Sequence, residues 1–275
     1  MRNQPAGSFT LLSCLLVLAA GATAAPVRAQ TTVGQPWARD SARSTVAIAW
    51  PHGLASRTPG EFGAFRWYDA SAVFGAVAAS SLLDESLRNT IQDHRSTGSN
   101  DAARVFRHMG QPEVYATVAL GTMATGLVAH RPAITRAGMR ITASLLVAGG
   151  LATVLKRAWG RRRPYLAEEQ YVFHPLTRDD SWPSGHATMA FALATSVSDE
   201  IHSTPATIGL YSLATLTAWS RLNDNKHWLS DVLAGAALGF TSAKFMGGRW
   251  RVFGIQAPAF LLGPGGAGLE WQGRF

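Results

Sequence analysis

Between Ala70 and Ala243 the chain returns repeatedly to apolar stretches: Ala70–Leu83, Val114–Ala129, Ile141–Leu155, Ala187–Val197, Ala206–Trp219 and Val232–Ala243. All are rich in Ala, Gly, Ser and Thr, side chains small enough to let helices approach closely in a membrane bundle or a soluble one. The succession predicts an all-α fold, a bundle of about six helices. Each stretch is shorter than the roughly twenty apolar residues that cross a bilayer, so a packed soluble core and a membrane-embedded bundle both stay open. With 275 residues, 47% of them hydrophobic, the chain suffices for one sizeable helical domain.

The flanks differ in character. Arg2, the apolar run Phe9–Ala22 and the small residues of Ala22-Thr23-Ala24 or Val27-Arg28-Ala29 read as an export signal over 1–29, with an uncleaved anchor as the alternative. Residues 30–66 read as a linker or arm, and 67–246 as the helical domain. Within that domain the first helical pattern runs from Tyr68 to about Asn89. A small helix, Asp101–Met109, is capped by Asn100 or Ser99 and ended by Gly110 and Pro112. In the tail, 247–275, Arg251–Ala257 and Gly268–Phe275 flank Gly263-Pro264-Gly265-Gly266 and read as a loose hairpin. Cys14, the single cysteine, lies inside the signal, so disulfides and thiolate metal sites do not hold this fold together.

The formal charge is +8, and losing Arg2 and Arg28 with the signal leaves 8 − 2 = +6. Such a surface favours anionic partners. No nucleic-acid motif accompanies it, and an exported chain meets phosphorylated small molecules or anionic lipid headgroups instead.

Three clusters carry candidate chemistry. Lys156 precedes Arg157, Arg161, Arg162 and Arg163-Pro164, and cations suit a helix C-terminus; a solvated basic helix end would read the same way. In Pro183-Ser184-Gly185-His186, Ser184 is placed to cap a helix whose N-terminus is itself an anion site, and Gly185 lets backbone approach an oxyanion. In Ser220–Asp231, His227 and Asp231 stand four apart and share a helix face. A carboxylate on one ring nitrogen fixes the tautomer and leaves the other free. Arg221 adds a planar fork of donors. If the helices alternate in direction, all three clusters fall at one end of the bundle.

Lys156, six residues, Arg163-Pro164; Pro183-Ser184-Gly185-His186; and Ser220-Arg221, five residues, His227, three residues, Asp231 together resemble the three-part motif of the type 2 phosphatidic acid phosphatase (PAP2) and vanadium haloperoxidase superfamily. The resemblance covers about residues 113–245 with no motif position altered. It implies a phosphoric ester hydrolase needing no metal or other cofactor. His227 would be the nucleophile that forms a phosphohistidine, Asp231 its orienter and His186 the acid that protonates the leaving oxygen. Lys156, Arg163, Ser184, Gly185 and Arg221 would bind the phosphoryl oxygens. Arg157, Arg161 and Arg162 are not motif positions and read as electrostatic surroundings.

The expected substrate is a phosphate monoester or diphosphate, of a lipid or of a small molecule. An inner-membrane enzyme with a periplasm-facing site is the first expectation; a soluble periplasmic acid phosphatase is the alternative, and a vanadate-holding haloperoxidase a further one. His52, His94, His108, His130, His174 and His202 read as surface or loop residues, and Asp179-Asp180 as loop polarity. Trp159, Trp182, Trp219 and Trp228 gather around the candidate site, as core packing or as a collar at a lipid surface.

Overall fold

The computed structural model describes residues 63–167, 169–257, 259–263 and 266–270. The expected signal, most of the arm and His52 lie outside them. Among the described residues there are eight α-helices: α1 (Trp67–Ser80), α2 (Asp84–Asp93), α3 (Thr97–Met109), α4 (Pro112–Val128), α5 (Pro132–Trp159), α6 (Gly185–Ile201), α7 (Thr204–Asn223) and α8 (Leu229–Met246). The fold is the all-α bundle that the apolar segments predict. The last five segments lie in α4 to α8, while the first pattern divides into α1, a 3-10 turn at Ser81–Leu83, and α2.

Local chemistry sets the helix starts. Prolines occupy the first turns of α4, α5 and α7, where no N–H partner is lost and φ is already helical. Ser96 caps α3, its Oγ accepting from Ser99 N at 3.1 Å while Ser99 Oγ accepts from Ser96 N at 3.0 Å. This reciprocal pair starts the helix about a turn before the expected Asp101, because the serines satisfy the free N–H groups first.

One length expectation is corrected. Helix α5 runs for 28 residues, through Arg136 and Arg140 at one end and Lys156 at the other. Among the described residues it is the helix long and apolar enough to cross a membrane. The charges that bounded the segment in sequence do not end the helix, since Arg and Lys are good helix formers.

Helix α6 lies at the centre and packs against α5, α7 and α8. The interior is built mostly of alanine, including Ala148, Ala187, Ala192, Ala194, Ala214 and Ala243. Large aliphatic side chains stand outside instead, among them Leu120 and Leu127 on α4, Leu146 and Val154 on α5, and Ile208 and Leu213 on α7. Small residues inside let backbones come close. A Cβ built at Gly239 of α8 would lie 2.1 Å from Thr188 O of α6.

The strands are short. β1 (Gly63–Phe65) and β2 (Trp250–Val252) pair in parallel, with the rings of Phe65 and Trp250 stacked at 5.7 Å. β3 (Ala259–Gly263) and β4 (Gly266–Glu270) form an antiparallel hairpin. Its first arm is therefore Ala259–Gly263 and not Arg251–Ala257, because residues 250–252 are engaged with β1.

The close α6–α8 contact makes a differential prediction. Gly239→Ala forces the two backbones apart and lowers stability by about 1–3 kcal/mol. Gly75→Ala on α1, where a Cβ meets nothing within 4 Å, is neutral or stabilising by up to about 1 kcal/mol. Thermal unfolding of both variants checks this, and equal shifts would contradict it.

Candidate active site

Four helix ends meet at one end of the bundle: the C-termini of α5 and α7 and the N-termini of α6 and α8. Helix α5 stops at Gly160, whose φ of 57° is left-handed and where a Cβ would sit 1.8 Å from His174 O. Only glycine fits that turn. The chain then doubles back. His174 N donates to Gly160 O at 2.7 Å and Ser181 N to Arg161 O at 2.9 Å, which returns the Arg161–Arg163 segment to the start of α6.

His227 sits in the short joint between α7 and α8, 3% side-chain exposed, with its Nδ1 3.6 Å from Asp231 Oδ2. That distance is an electrostatic contact, too long for a formed hydrogen bond. With Nδ1 turned to the carboxylate, Nε2 is the nitrogen left for chemistry. Asp231, in the first turn of α8, is itself held from three sides. Its Oδ2 accepts from Ser181 Oγ at 2.5 Å and from Trp228 N at 2.9 Å, and its Oδ1 accepts from Arg161 Nη1 at 2.7 Å.

The cations ring this pair. Arg163 forks onto Asp180 through Nε and Nη2 at 2.7 and 2.8 Å, and Lys156 Nζ donates to the main-chain oxygen of Asp180. Arg221 Nη1 reaches Asp224 at 3.0 Å, a carboxylate it shares with Arg107. Ser184 occupies the N-cap position of α6 without a side-chain hydrogen bond to the helix, and Gly185 is its first residue, with the Lys156 stem running past at 3.7 Å from where a Cβ would be. His186 follows, half-buried, with Arg221, His227, Arg163 and Lys156 all within electrostatic range. All eight residues singled out in the sequence are thus brought together.

Ser184 Oγ and Arg221 Nε are buried without a hydrogen-bond partner. Buried polar atoms in native folds rarely go unsatisfied. Two orphans beside three cations and a helix N-terminus form a cradle suited to a tetrahedral oxyanion.

Sequence reasoning missed four members. Asp180 is not loop polarity but the partner of Arg163, and Ser181 and Asp84 are wholly buried. Arg161 is not electrostatic surroundings: it is buried at the centre of the polar network, whereas Arg157 and Arg162 are exposed. A carboxylate ending an apolar run, as Asp84 ends Ala70–Leu83, was the available signal. Of the remaining described histidines, His94, His108, His130, His174 and His202 are exposed. Trp159 and Trp182 pack together at 4.8 Å between ring centres, while Trp228 is buried with its indole N–H donating to Arg162 O at 3.1 Å.

Burial pushes the His227 imidazole down to about 4; Asp231 pulls it upward and Lys156 and Arg163 push it lower still. The ring is therefore neutral at neutral pH, as a nucleophile requires. Burial would raise the Asp180 carboxyl, yet Arg163 and Lys156 hold it below the usual range. Nitrogen-detected NMR of the histidine rings in anion-free buffer should find His227 titrating near pH 4. Asp231→Asn, which removes the upward pull, should move it lower. A midpoint at or above the ordinary 6.5 would contradict the burial.

A family profile described as the PAP2 superfamily matches residues 137–250. The chain is 39% identical over 93 residues to a lipid A 1-phosphatase of Porphyromonas gingivalis, a match spanning 33% of this chain and 19% of that protein. It is 27% identical over 129 residues to the Escherichia coli K12 protein YbjG, provisionally named an undecaprenyl-diphosphatase, spanning 47% of this chain and 63% of that one. The chain thus spans less than two thirds of the length of either relative. A crystal structure of a transmembrane PAP2 type phosphatidylglycerolphosphate phosphatase from Bacillus subtilis shares the fold, at a TM-score of 0.53 and 20% identity, over 66% of this chain and 95% of that one. Over residues 137–250, the stretch that holds all three motif blocks, the chain is thus similar to the PAP2 superfamily, and its fold is that of a PAP2 type phosphatase.

Proposed function

We propose that this protein is a phosphatase acting on phosphate monoesters or diphosphates of lipids through a phosphohistidine intermediate. The observation that carries the reading is the cradle of Lys156, Arg163 and Arg221, with orphan donors on Ser184 and Arg221, set around His227 and its carboxylate.

In the first half-reaction His227 Nε2 attacks phosphorus in line, an N–P bond forms and the bond to the leaving oxygen breaks. His186 gives that oxygen its proton. In the second, His186 takes a proton from water, the water oxygen attacks phosphorus, and the N–P bond breaks to free His227 and inorganic phosphate. Asp231 steadies the Nδ1–H that the phosphorylated ring carries. Phosphoryl transfer demands positioning and charge stabilisation more than elaborate bond chemistry, and the three cations with the α6 N-terminus supply both. Arg163 would share its fork between Asp180 and the incoming phosphoryl group.

Two observations favour a lipid substrate over a soluble one. The bundle packs alanines inside and turns Leu, Ile and Val outward, the arrangement of helices that meet lipid rather than water. The relatives named for their substrates act on lipid A and, provisionally, on undecaprenyl diphosphate. We place the protein in the inner membrane with its active end facing the periplasm, in keeping with the export signal read at 1–29.

A phosphate-release panel of phosphatidate, phosphatidylglycerol phosphate, an isoprenoid diphosphate and a soluble monoester tests the reading. Turnover should be strongest on the lipids, and His227→Ala should lower it at least about ten-thousand-fold. Normal activity in that variant would exclude the mechanism. In detergent-free fractionation the protein should sediment with membranes and resist alkaline extraction; recovery in the soluble fraction would support the acid-phosphatase alternative.

A further inference from the structure

Arg161 is not a motif position, though it lies within the first block between Lys156 and Arg163, and its guanidinium is among the largest groups fully enclosed in the protein, at 2% exposed. All five of its N–H directions are used. Nη1 donates to Asp231 Oδ1 and Ser230 Oγ, each at 2.7 Å. Nη2 donates to Asp84 Oδ2 at 2.8 Å and Gln170 O at 2.7 Å, and Nε to Gln170 O at 3.1 Å. Its carbon lies 5.4 Å from the centre of the Trp228 ring and 5.5 Å from that of Phe173. Asp84, at the start of α2, closes the arrangement from the other side. Its Oδ1 accepts from Ser230 N at 2.8 Å and its Oδ2 from Ser230 Oγ at 2.5 Å.

We propose that Asp84 and Arg161 form a buried clamp that fixes Asp231, and through it His227, so that both are positioning residues for phosphoryl transfer. The inference rests on the phosphohistidine reading above. Three facts carry it. First, Arg161 takes one oxygen of Asp231 and leaves Oδ2 on the His227 side, so the guanidinium decides which oxygen faces the ring. Second, Asp84 grips both the backbone and the hydroxyl of Ser230, the residue before Asp231, which fixes the first turn of α8. Third, two carboxylates share one guanidinium, so the enclosed group keeps a net negative charge next to Nδ1. That charge favours the cationic ring that forms as His227 is phosphorylated. A buried ion triad is a poor way to gain stability alone, since desolvation of three charges offsets most of the attraction. Asp84 also lies well before the stretch matched by the family profile, at 137–250.

The test uses the full chain in detergent, on whichever panel substrate the wild type turns over. His227 is faced by Asp231 from α8, Lys156 from α5, His186 from α6, and Arg163 and Asp180 from the loop, and none of these is altered. Asp84→Asn leaves the Arg161 cation balanced by one carboxylate instead of two. It should lower kcat on the order of 10- to 100-fold with KM nearly unchanged, and move the acidic limb of kcat/KM to lower pH. Ser230→Ala removes the shared hydroxyl but no charge; it should lower kcat less and leave the acidic limb in place. Wild-type kcat in either variant, or a loss in Asp84→Asn with an unmoved limb, overturns the clamp. Should Asp84→Asn fail to fold, the Ser230→Ala arm alone decides. A wild type that releases phosphate from no substrate removes the phosphatase reading and this inference together, whereas an active wild type with an unaltered Asp84→Asn removes this inference alone.

Discussion

The structure at the active end depends on one buried carboxylate. Asp231 collects donors from the loop before α6, from the backbone that opens α8 and from Arg161, and it still faces His227. Ser184 N donates to its main-chain oxygen at 2.9 Å, so the start of α6 is tied to the same residue. Removing such a carboxylate would strand several buried donors at once, each costing about 1–3 kcal/mol. The parts of the site are held by one another through Asp231 rather than by any one helix.

Around that hub the architecture follows from side-chain size. Alanine and glycine at the α6–α8 contact bring backbones close enough for helix ends to converge on a small cradle. The same economy leaves the bulky aliphatics on the outside. In water that inversion would cost hydrophobic free energy; against lipid it costs little. Fold and proposed location therefore share one cause in composition.

Much of this was legible in the sequence. Helix-length apolar segments foretold the all-α bundle, and the spacings of Lys156, Arg163, Ser184, His186, Arg221, His227 and Asp231 foretold their meeting once helix direction alternates. What the sequence hid was of two kinds. Helix ends shifted where reciprocal caps or long basic side chains overrode the apolar boundary, as at Ser96 and through Arg136 and Arg140. Supporting residues hid because burial of a charge leaves at most an ambiguous local trace. Arg161 sits among exposed arginines in sequence, and Asp84 ends an apolar run as many surface carboxylates do. Only the long-range pairing, 77 residues apart, distinguishes them.

The central claim is that His227 carries the phosphoryl group. Rapid acid-free quenching during turnover, followed by peptide mass spectrometry, measures this directly. The account predicts an alkali-stable, acid-labile phosphate on the peptide containing His227, present at early times and absent in His186-intact chains lacking substrate. Steady turnover with no phosphorylated histidine, or with the label on another side chain, would contradict it.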